Sequence, residues 1–88
     1  MEKLKDAIER IKILQCPTGD VENRVTGILE DYGVANRKEI TINRNEELDS
    51  ISAEAYSVQI GNNKESMVVL ARAGEDDYVA EVVDVYMN

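Results

Sequence analysis

The chain has 88 residues and a formal net charge of −8, with one cysteine and no histidine, tryptophan or phenylalanine. Its length fits a single domain over 1–88, because a second core would leave each half too small to hold a fold by burial alone. One cysteine excludes an internal disulfide framework and a cysteine-rich zinc site, and the lack of histidine removes triad-style hydrolysis, which needs a base that is neutral near pH 7.

The charge is unevenly placed. Residues 1–44 balance eight acids with eight bases, whereas residues 45–88 carry ten acids against Lys64 and Arg72 alone. Such an imbalance projects a negative field over one region, which repels nucleic acid and attracts basic surfaces. The lone cysteine fits a reducing cytoplasm. No apolar run approaches the roughly 20 residues that span a bilayer, and the acidic, amphipathic start does not read as a signal peptide, so no membrane partner is expected.

Leu4, Ala7, Ile8, Ile11 and Leu14 have the spacing of one buried helical stripe, which predicts a helix over 2–15 ended by Pro17. Thr18 and Asp20 are candidate N-caps for a second helix over 20–32, with Val21, Val25, Ile28, Leu29 and Tyr32 on its apolar side and Gly33 then Val34 placed for a Schellman ending. The two helices should form an antiparallel hairpin. Gly27, costly inside a helix, suggests that another backbone passes close by.

From Glu39 the period changes to two, and strands are predicted over 39–43, 51–60, 66–73 and 78–87. The stretch from Leu48 to Val58 also admits helical spacing, but its serines, Val58, Ile60 and the following Gly61-Asn62-Asn63 favour strand and turn. Gly74-Glu75-Asp76-Asp77 has the composition of a tight turn. The expected fold is therefore α+β, an N-terminal helical hairpin packed on a three- to four-stranded antiparallel sheet.

No residue set reads as catalytic, and no cofactor is implied. Glycine-rich phosphate loops are absent. Cys16, near a helix start, lacks a partner base and reads as a packed apolar residue. Glu75, Asp76 and Asp77 do not have the spacing of a calcium loop, so no metal site is assigned. A helix-turn-helix reading fails because the second helix carries Glu22, Glu30 and Asp31 against Arg24 alone, the wrong sign for direct contact with nucleic acid.

The last strand points to an interface. Strict alternation puts Val79, Val83, Val85 and Met87 on one face and Tyr78, Ala80, Val82, Asp84 and Tyr86 on the other, and tyrosine brings contact area with a polar tip. Val68 and Leu70 make the preceding strand apolar on both faces, so one face wants cover from a second copy or a partner. In length, acidity and lack of catalytic residues the chain resembles phage-encoded inhibitors, anti-CRISPR proteins and other nucleic-acid mimics among them. That likeness is one of composition, and it implies a non-enzymatic protein that blocks a basic, nucleic-acid-handling partner. The expected contacts are Glu46, Glu47, Asp49, Glu75, Asp76, Asp77, Tyr78, Asp84 and Tyr86, with Val68 and Leu70 serving self-association as a homo-oligomer. Two alternatives stand beside it. One is a homo-oligomeric assembly subunit with merely solvating acids. The other is a small-molecule-sequestering protein with a pocket between subunits, contacted by Tyr78, Tyr86, Arg72 and Arg44.

Overall fold

The N-terminal apolar stripe folds as helix α1 (Lys3–Ile11), shorter than its sequence pattern. A computed structural model describes residues 3–61, 65–73 and 78–87, the side chain of Glu65 excepted. After Ile11 the hydrogen bonds tighten to Ile13 N–H on the Arg10 carbonyl and Leu14 N–H on the Ile11 carbonyl, and the chain leaves the helix. Leu14 remains buried although it lies beyond the helix end, so the predicted continuation to residue 15 is corrected.

Residues Gln15–Pro17 form strand β1 instead. Pro17 does not merely stop a helix. It ends a short edge strand, where a missing N–H is tolerated. A 3-10 turn (Thr18–Asp20) leads into helix α2 (Val21–Asp31), so the helices are joined through a strand and a turn rather than as a plain hairpin. Asp20 occupies the N-cap position without a side-chain cap bond, its carboxylate lying 3.9 Å from Arg24 Nε. The other end is as predicted. Gly33 takes φ +73°, its N–H donates to the Glu30 carbonyl, and Val34 N–H donates to the Leu29 carbonyl, which completes the Schellman motif. The chain then returns through Arg37, whose backbone N–H and guanidinium both hold the Glu30 carboxylate.

Strands β2 (Ile40–Arg44), β3 (Glu54–Ile60), β4 (Glu65–Ala73) and β5 (Val79–Met87) form an antiparallel meander, and β1 adds beside β5 to give a five-stranded sheet in the order β1-β5-β4-β3-β2. The sheet thus has one strand more than expected. Residues 51–53 lie outside the strand predicted there, and a 3-10 turn (Glu46–Leu48) occupies part of the β2–β3 connection. Gly61 follows β3 at φ +64°, a turn conformation that suits glycine. Asn62 and Asn63 of the predicted Gly61-Asn62-Asn63 turn, and the predicted turn over 74–77, lie outside the described residues.

Both helices cover one sheet face. Ala7, Ile11, Val25, Ile28 and Leu29 pack with Val58, Ile60, Met67, Val69, Ala71, Ala80, Val82 and Val85 in one aliphatic core. Strict alternation along the last strand fails at a bulge. Ala71 pairs with Val82 and Leu70 with Asp84, so Val83 has no partner on β4. The extra residue resets the phase. Ala80, Val82 and Val85 are all buried, while Val79 and Val83 are exposed. No helix among the described residues is long and apolar enough to cross a membrane.

Candidate functional site

The sheet face turned away from the helices gathers most of the described candidate residues. Pairing aligns Asn43, Ser57, Val68 and Tyr86 across β2 to β5, and aligns Ala55, Leu70 and Asp84 beside them. Directly paired residues point to the same side, so Asp84, Tyr86, Leu70 and Val68 share one surface. They do not share one exposure. Val68 is 0% exposed and offers nothing to another molecule, Leu70 is half-buried, and Asp84 and Tyr86 are exposed. Val68, Ala53 and Ala55 are buried apart from the helix-covered core.

The chain supplies part of this cover itself. Asn45 Nδ2 donates to Ser57 Oγ at 3.0 Å, which ties the start of the β2–β3 connection to the outer face, and Asn45 Oδ1 accepts the Glu47 N–H at 3.2 Å to begin the 3-10 turn. Glu46 and Glu47 are exposed on that turn. They therefore stand at the β3 end of a surface whose other end holds Asp84 and Tyr86.

Asp49 is not a free surface charge. Its carboxylate receives Arg44 Nη1 at 2.8 Å and Nη2 at 2.9 Å, and accepts the Ala55 N–H at 2.7 Å. The Arg44 bonds, then the backbone N–H, hold its pKa below the usual carboxylate range, and Asp49 and Glu54 together raise that of Arg44. Arg44 Nε also meets Glu54 at 3.0 Å, and the guanidinium carbon lies 5.9 Å from the centre of the Tyr56 ring. This cluster closes the end of the sheet. The register puts Arg44, Glu54 and Tyr56 on the helix side, whereas on the outer face Arg72 pairs with Glu81, directly opposite it, at 2.7 Å, and Gln15 donates to the same carboxylate at 3.3 Å.

Asp49, Glu54 and Glu81 are thus engaged within the chain, which leaves Glu46, Glu47 and Asp84 as the second-half carboxylates without an ion pair among the described side chains. Asp84 accepts the neighbouring Val85 N–H at 2.9 Å, a local bond beside the bulge. Glu75, Asp76 and Asp77 lie outside the described residues. Tyr78 is 79% exposed, at the end of β5 where its carbonyl accepts the Thr18 N–H, and is not part of the Asp84–Tyr86 patch.

Of the four side chains expected in a ligand pocket, Arg44 and Arg72 line one groove of about 380 Å³ with Asp49 to Ala53, but Tyr78 and Tyr86 do not join them. Both arginines there are already held by carboxylates. Cys16 is buried, and that burial raises its thiol pKa despite the opposing charge of Arg24. Among the described residues no three His, Cys, Asp or Glu side chains converge as a metal site.

Sequence reasoning missed a second groove, of about 310 Å³, between the end of α1 and the solvent side of α2. Arg10, Arg24 and Arg37 line it with Gly27. The signal available was Gly27 itself, whose missing Cβ would meet nothing within 4 Å. The close backbone approach expected there is not found. Comparison with protein-family models, curated proteins and solved structures gives no match for this chain, so its function is read from its own surfaces.

Proposed function

We propose that this chain is a small, non-enzymatic cytoplasmic protein that inhibits a basic, nucleic-acid-handling partner by presenting a negative surface in place of phosphates. The observation that carries the reading is the outer sheet face, where exposed Asp84 and Tyr86 stand together and Glu46 and Glu47 rise at the opposite end with no ion partner among the described residues. Strand β5 holds Asp84, and the 3-10 turn tied down by Asn45 holds Glu46 and Glu47, an arrangement that favours a steered encounter with a positive cleft. Asp49 contributes by fixing the connection that carries Glu46 and Glu47 rather than by contact.

A homo-oligomer is the second reading. β5 is paired to β1 only over Val79–Glu81, so its remaining length has no strand on that side among the described residues, and Val83 and Met87 are exposed there. Val83 and Met87 then replace Val68 as the residues of self-association.

The test compares wild-type chain with a triple variant, Glu46→Lys, Glu47→Lys and Asp84→Asn, the last keeping an acceptor for Val85 N–H. Capture from the native host followed by mass spectrometry identifies the partner, and competition with that partner's nucleic acid measures inhibition. Contacts of this kind act within a Debye length of about 8 Å at physiological ionic strength, so capture should fall as salt rises and fail in the variant. Equal capture and equal inhibition by the variant would refute the mimic. Light scattering that reports a dimer abolished by Val83→Lys would favour the second reading.

A further inference from the structure

We propose that the groove between α1 and α2 binds a phosphate monoester, with Arg10, Arg24 and Arg37 holding the phosphoryl oxygens over Gly27. The inference is independent of the acidic outer face. Three arginines from three elements, α1, α2 and the turn before β2, meet at one groove in a chain of net charge −8. Asp20 and Glu30 answer part of the charge of Arg24 and Arg37, and a phosphoryl dianion set among the three guanidinium groups would add charge-assisted bonds to the donors left over.

Two of the three are poorly satisfied within the chain. Arg10 has no ion pair among the described residues, and Arg24 reaches Asp20 only at 3.9 Å. Arg37 is oriented, with Nη1 donating to Asn23 at 3.0 Å and Nη2 lying 3.3 Å from Glu30. Those contacts use part of the guanidinium's fork of donors and hold the rest at the groove.

Gly27 is the second observation. It has no positive φ to accommodate and no neighbour near its absent Cβ, yet it sits inside α2, where alanine is the better helix former. Its effect is to leave room, and to let a ligand approach the helix backbone. A tetrahedral phosphoryl group has three oxygens for three guanidinium forks, whereas a carboxylate has two. Asp31 also lines the groove, and its carboxylate can accept a bond from a hydroxyl on the carbon part of an ester whose phosphoryl group faces the arginines, a bond that inorganic phosphate cannot make from the same position.

The experiment is an amide NMR titration of the full chain with ribose 5-phosphate, with inorganic phosphate, ribose and sodium sulfate at matched ionic strength as separate arms. Saturable shifts at Gly27 and around Arg10, Arg24 and Arg37 are expected for ribose 5-phosphate, with weaker binding of inorganic phosphate and none of ribose. Gly27→Leu, whose Cβ meets nothing within 4 Å, should keep the wild-type circular dichroism and cooperative melting and abolish the response. Arg24→Gln should weaken it about tenfold or more. Absence of saturation, an equal response to sulfate, or an unchanged response in Gly27→Leu would overturn the site. Inorganic phosphate binding as tightly as the ester would overturn the choice of a monoester.

Discussion

Val68→Ala decides whether the outer sheet face is sealed by the chain itself. Val68 is 0% exposed although no helix covers its side of the sheet, so the whole side chain counts as buried in a monomer. Removing two methyl groups forfeits ~1.6 kcal/mol of transfer free energy at about 0.8 kcal/mol each. The cavity left between β3 and β5 raises the cost to roughly 2–3 kcal/mol. An 88-residue domain has a total stability of about 4–13 kcal/mol, so the variant should melt roughly 8–20 °C lower. Urea unfolding followed by circular dichroism should show a lower midpoint with an unchanged slope. Leu70→Ala, at a half-buried position two residues away, should cost less. Val68→Glu should unfold the chain, because an unpartnered carboxylate in that position costs several kcal/mol. A Val68→Ala loss under about 0.5 kcal/mol would show that the side chain is not sealed, and a wild-type stability that rises with protein concentration while the variant's does not would show that another copy provides the cover.

Gly33→Ala should destabilise by about 1–2 kcal/mol in the same assay, since Gly33 holds φ +73° at the Schellman ending, a conformation costly for a residue with a Cβ. Asp49 has a folded-state pKa below its unfolded value, so it contributes stability above pH of about 4 that is lost as pH falls through the lower folded value. Asp49→Asn should therefore lower the melting temperature at neutral pH and flatten its decline on acidification, and carbon-detected NMR should show the Asp49 carboxylate titrating below the exposed acids. Cys16, 4% exposed with a raised thiol pKa, should react with a thiol reagent at neutral pH far more slowly in the folded chain than in urea. Reaction at the unfolded rate would show that β1 opens readily.

The period-3.6 stripe of the first 32 residues and the period-2 stretches after Glu39 were enough to place two helices before a run of strands, because burial of an amphipathic side dictates spacing locally. Gly33 and Val34 announced the end of α2 for the same reason, their hydrogen bonds reaching back only to Leu29 and Glu30. What escaped local reading was decided by partners distant in the chain. Gln15–Pro17 is a strand only because β5, more than sixty residues later, offers its edge, and Leu14 satisfies the helical stripe while its carbonyl accepts Val82 N–H. The bulge that exposes Val83 and buries Val85 is a property of pairing with β4, invisible in alternation alone. The candidate sites divide in the same way. Composition located the excess acids, but the fold decided that Asp49 is bound to Arg44 while Glu46, Glu47 and Asp84 are not, and it brought three arginines of a charge-balanced half to one groove over Gly27. Sequence fixes which side chains must be buried through hydrophobic spacing, whereas which charges neutralise one another depends on distances that only the closed tertiary structure sets.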